Sequence, residues 1–68
     1  MKISKWIEIE QELTQRIGWK TTISIMIDAH RQLYPDKQIY ELTTHEEKQL
    51  TNKIKSTYQR ITAHENKD

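Results

Sequence analysis

Three histidines, His30, His45 and His64, and no cysteine make up the chain's supply of soft metal ligands. None of the three opens a His-x-x-x-His pair, the spacing that puts two imidazoles on one helical face, so no metal site is expected. His45-Glu46-Glu47 places ligating residues in a row, but successive helical side chains point in different directions and cannot converge on one ion. Thr44-His45-Glu46-Glu47 reads instead as a capping box, with Thr44 serving the backbone of Glu47 and the Glu47 carboxylate reaching back. Glu8, Glu10 and Glu12 are acids that general acid-base chemistry could pair, yet Glu8 and Glu12 fall on the solvent face of the helix that holds them. His30, on the apolar side of a second helix, is expected as a satisfied core or interface imidazole. Glycine-rich phosphate loops, nucleophile elbows and Cys-x-x-Cys pairs do not occur. A chain of 68 residues seldom encloses a substrate pocket. The expectation is a protein that is not an enzyme, with no cofactor, metal or small-molecule substrate.

The elements that position these residues must come from a thin core. Hydrophobic residues make up 34% of the chain and charged residues 31%, with no Phe, so Ile, Leu, two Trp and three Tyr carry the packing. That suffices for one domain, taken as residues 1–64, with a frayed tail at 65–68. Eleven basic residues against ten acidic leave a net charge of +1, and net charge alone therefore argues for no polyanionic partner. Met1-Lys2-Ile3-Ser4-Lys5 leads into acids, unlike a secretory signal, and no stretch is apolar enough to span a bilayer. A cytoplasmic location without a membrane partner is the expectation.

The periodicity predicts an all-α fold, a small three-helix domain with a short extra helical turn near residues 36–42. Trp6, Ile9, Leu13 and Ile17 line one face of helix one at about 5–17, capped by Ser4, supported by a Glu12–Arg16 pair and closed by Gly18. The next stretch carries two periods. Ile23, Ile25 and Ile27 alternate as a strand would, but Ile23, Met26, Ile27, His30, Leu33 and Tyr34 share a helical face over a longer window. Helix is the preferred reading, capped by Thr21 or Thr22 and stopped at about residue 34 by Pro35. Helix three runs about 45–63, with Leu50, Ile54, Thr57, Tyr58 and Ile61 inward.

Gln11-Glu12-Leu13-Thr14-Gln15-Arg16-Ile17-Gly18-Trp19, followed by Thr21-Thr22-Ile23-Ser24-Ile25-Met26-Ile27, resembles a helix-turn-helix of the Cro and phage-repressor type. The likeness covers residues 11–27. Thr14 stands where that family has an alanine-like residue, and the turn after Gly18 is one residue short. The resemblance implies a DNA-binding transcriptional regulator of phage or mobile-element type, acting as a dimer. The outward face of its recognition helix would offer Thr21, Thr22, Ser24, Asp28 and Arg31 to base edges, with Lys20 at the helix start and Lys48, Lys53, Lys55 and Arg60 of helix three on phosphates. Asp28 would repel the backbone charge unless it accepts from a cytosine amine. The strand reading of Lys20–Ile27 resembles a ribbon-helix-helix protein instead.

A second expectation comes from apolar residues in excess of the core. Ile7, Trp19, Ile25 and Tyr40 are too many for three short helices to bury, and exposed aromatics with aliphatics make interface anchors. The leading expectation is therefore a small regulatory protein, inhibitor-like or antirepressor-like, that binds a partner protein or associates with itself as a homodimer. DNA binding is the alternative. Cations gathered around an exposed Thr21–Ser24 would favour DNA; an apolar patch centred on Ile25 would favour a protein.

Overall fold

The computed structural model describes residues 1–65, with the side chains of His64 and Glu65 not described. It contains three helices, α1 (Ile3–Ile17), α2 (Trp19–Leu33) and α3 (Thr44–Glu65), and a single 3-10 turn at Ile39–Glu41. No strand occurs among the described residues, so the alternation of Ile23, Ile25 and Ile27 is a helical segment and the ribbon reading is removed. The expected extra turn near 36–42 is present. The expected tail at 65–68 lies outside the described residues apart from Glu65, where α3 ends.

Leu13 is the buried centre of the α1 stripe, and Trp6, Ile9 and Ile17 pack half-buried around it. The Arg16 guanidinium lies 3.7 Å from Glu12, the predicted surface pair. The start differs from expectation. Lys2 takes the N-cap position with no side-chain bond, and Ser4 lies inside the helix, because Met1 is drawn into the core and its terminal ammonium donates to the Leu42 carbonyl at 2.7 Å.

Gly18 alone joins α1 to α2. Its φ of +83° and ψ of 155° fall in a region that essentially only glycine occupies, and its N–H closes α1 by donating to the Thr14 carbonyl at 3.0 Å. The expected positive-φ glycine is therefore present, but with an extended ψ in place of the left-handed helical one. The consequence for α2 was not foreseen, since the helix starts at Trp19 with Gly18 as its cap, and neither Thr21 nor Thr22 caps it.

The buried stripe of α2 is Thr22, Ile25, Met26 and Ala29, spaced i, i+3, i+4 and i+7. Of the predicted face only Met26 is buried; Ile23, His30 and Tyr34 are half-buried, and Ile27 and Leu33 are exposed. The helix is thus rolled about a quarter-turn from the predicted phase. Packing explains the roll. α2 lies against both α1 and α3, and small residues at Thr22 and Ala29 let neighbouring backbones approach where Ile27 would hold them apart. Leu50 and Ile54 of α3 complete the core with Leu42 from the loop.

The capping box that opens α3 lies one residue earlier than predicted. The Thr43 N–H donates to Glu46 Oε1 at 2.9 Å, and the Glu46 N–H donates to Thr43 Oγ1 at 3.2 Å. Glu47 reaches the Lys5 ammonium of α1 instead, and Glu46 also accepts from Lys37 Nζ at 2.8 Å. The Lys37 hydrogen bond, then the Thr43 N–H, hold the Glu46 carboxyl below its ordinary 4.5, and the Lys5 hydrogen bond does the same for Glu47. A carboxylate favoured in the folded state contributes fully above its unfolded pKa, and the contribution disappears as pH falls through the lowered folded value. Melting temperature should therefore hold down to about pH 5 and drop below 4.5, and Glu46→Gln with Glu47→Gln should flatten that drop. An identical acid profile in the double variant would show that these two acids are not responsible.

Candidate functional site

In this phase most exposed polar residues of α2 lie along the side that adjoins α3. Lys20, Thr21, Ser24, Asp28 and Gln32 recur along one side of α2. Lys53, Thr57, Arg60 and Ile61 recur along the facing side of α3. Between them runs a groove of about 490 Å³, floored by Ile25 and Ala29. Polar side chains at steps of three and four on each helix are what such a lining requires.

Among the described residues the groove carries three cations, Lys20, Lys53 and Arg60, against one acid, Asp28. Among the described residues the ion pairs engage Lys5, Arg16 and Lys37, and none engages those three. Their charge is uncompensated by protein partners there, while hydroxyls at Thr21, Ser24 and Thr57 supply neutral donors between them. Lys20 Nζ stands 5.9 Å from the ring centroid of Trp19, whose side chain is 60% exposed. The result is a small all-α domain with a cationic, hydroxyl-lined cleft on one side.

Of the residues expected to face DNA, Lys20, Thr21, Ser24, Asp28, Lys53 and Arg60 line this one groove. Arg31, Lys48 and Lys55 are exposed but outside the lining. Thr22 corrects the expectation, since it is 0% exposed, its hydroxyl has no partner among the described residues, and no external ligand can reach it. Ile25 is corrected too. At 6% exposure it belongs to the core and cannot anchor a partner, because the roll of α2 carries it inward. Ile7, Trp19 and Tyr40 are exposed as expected, together with Ile3, Ile27 and Leu33. Gln32 and Thr57 complete the groove, and the spacings 24-28-32 and 53-57-61 were the signal that could have found them.

Neither of the other chemistries considered gathers residues here. His30 Nε2 lies 2.6 Å from the Lys37 carbonyl, which makes it the donor that ties the loop after α2 back to its helix. No group of three or more metal-ligating side chains comes together among the described residues. A smaller cavity of about 320 Å³ lies between α1 and α3, and of its two cations, Arg16 and Lys55, Arg16 is already engaged by Glu12 and by the Tyr58 hydroxyl. No described helix is long and apolar enough to cross a membrane.

No protein-family model matches the chain, and no curated protein or solved structure is detectably similar to it. The groove's chemistry is therefore the basis for any functional reading.

Proposed function

We propose that this chain is a small, non-enzymatic regulator that binds nucleic acid through the α2–α3 groove. The observation that carries the reading is the gathering of Lys20, Lys53 and Arg60 around exposed Thr21 and Ser24, with Asp28 the single acid of the lining among the described residues. Phosphates supply the complementary charge, and their release of counterions supplies the affinity. With three phosphate contacts the logarithm of the binding constant falls against the logarithm of salt with a slope of about −2 for a single strand and about −3 for a duplex. Titrating a labelled oligonucleotide, single-stranded and annealed, at rising salt measures that slope. Absence of binding at low salt, or binding indifferent to salt, refutes the reading. The helix-turn-helix likeness is not what supports it, because a single residue, Gly18, joins α1 to α2 where that motif uses a turn of three or four.

A second reading, binding of a partner protein or of another copy, is favoured by the exposure of Ile3, Ile7, Trp19, Ile27 and Tyr40. Ile3 and Ile7 share a face of α1 about a quarter-turn from its buried stripe, and Trp19 and Ile27 lie on the side of α2 away from its buried stripe, about 80° apart around the axis. Dimerisation there would cover Trp19 while leaving the residues that line the groove free, and would double its phosphate contacts. Sedimentation over a range of concentrations reads it, and a monomer throughout counts against self-association.

A further inference from the structure

From the shape of the groove and the position of Trp19 we infer that the nucleic acid it takes is single-stranded, with one base stacked on the Trp19 indole. This rests on the proposed binding of nucleic acid and specifies its form. Duplex readout by a helix needs a convex element that projects into the major groove. Here the polar side of α2 is one wall of a cleft whose other wall is α3, so Thr21, Ser24 and Asp28 face a trough. A trough with cations on both walls suits a single flexible backbone, and proteins that bind single strands combine such a groove with an exposed aromatic platform.

Trp19 meets the second requirement. Trp19 is 60% exposed and lies just outside the lining, and the Nζ of Lys20, a residue that lines the groove, stands 5.9 Å from its ring centroid. The indole is thereby next to the cationic wall. A strand whose phosphate meets Lys20 therefore has a base within reach of the indole. Lys20 to Gln32 spans 12 residues of α2, or about 18 Å at 1.5 Å per residue, room for a few nucleotides. Asp28 and Gln32, at the other end of that span from Trp19, offer an acceptor and an amide to base edges, whereas Trp19 accepts any base.

The test compares oligothymidylate, the same sequence annealed to its complement, and inorganic polyphosphate, a polyanion without bases. The proteins are the wild-type chain, Trp19→Ala and Trp19→Phe. Because Trp19 is largely exposed, Trp19→Ala should leave the helical circular dichroism unchanged. The expected result is tighter binding of the single strand than of the duplex, a loss of roughly tenfold for the single strand in Trp19→Ala, recovery of most of it in Trp19→Phe, and unchanged polyphosphate binding. Equal affinity of Trp19→Ala and wild type for the single strand, or preference for the duplex, overturns this inference while leaving the groove intact. Failure of all three ligands to bind overturns the groove reading and this inference with it.

Discussion

Replacing Leu50 or Ile25 by alanine lowers the melting temperature by roughly 10–30 °C. Leu50 is 0% exposed and Ile25 is 6% exposed, and both belong to the one core cluster of the domain. Truncating a buried aliphatic to alanine costs about 2–5 kcal/mol, the transfer of the lost methyl groups plus the cavity left behind. A domain this short has only about 3–10 kcal/mol to lose, so either change removes a large fraction of its stability. Ile27→Ala is the internal control. Ile27 is 43% exposed, and its truncation should cost less than about 1 kcal/mol. Thermal denaturation of the three variants distinguishes the two phases of α2 directly, since the predicted face would make Ile27 the costly position and Ile25 the cheap one.

The second large effect concerns binding. Lys20→Gln, Lys53→Gln and Arg60→Gln together should weaken oligonucleotide binding by about a hundredfold at moderate salt, taking about 1 kcal/mol for each cation near a dense anionic surface. The same triple variant should bring the salt slope close to zero, because the phosphate contacts that release counterions are gone. Lys20 and Arg60 are exposed and Lys53 is half-buried, so folding should survive. Lys2→Gln, Lys48→Gln and Lys55→Gln make the matched control: the charge change is identical, the three residues are exposed, and none lines the groove. A net-charge effect would weaken both triple variants alike, whereas a groove effect weakens only the first.

Much of the fold was legible where one pattern had no competitor. The Trp6–Ile17 stripe had a single helical phase, and Gly18 was the one residue able to end it in a positive-φ conformation. The capping box was ambiguous by construction: Thr43 and Thr44 precede Glu46 and Glu47, and both pairs have the required offset of three. Partners distant in sequence made the choice, Lys37 drawing Glu46 and Lys5 drawing Glu47. In α2 apolar residues lie on more than one side, and hydrophobicity ranked Ile27 and Leu33 above Thr22 and Ala29. Close packing ranked them the other way. That reversal buried Ile25 and Thr22, and it turned Thr21 and Ser24 toward Lys53 and Arg60. The residues of the groove were mostly visible as polar and basic types, but their convergence depended on a helix phase set by two neighbouring helices.

Amide chemical shifts followed by NMR during titration with a short single-stranded oligonucleotide test the central claim most directly. The account predicts that the shifts move at Lys20, Thr21, Ser24, Lys53, Thr57 and Arg60, and that Ile3, Ile7 and Tyr40 stay still. Movement centred on Ile3, Ile7 and Tyr40 with a silent α2–α3 cleft would contradict it.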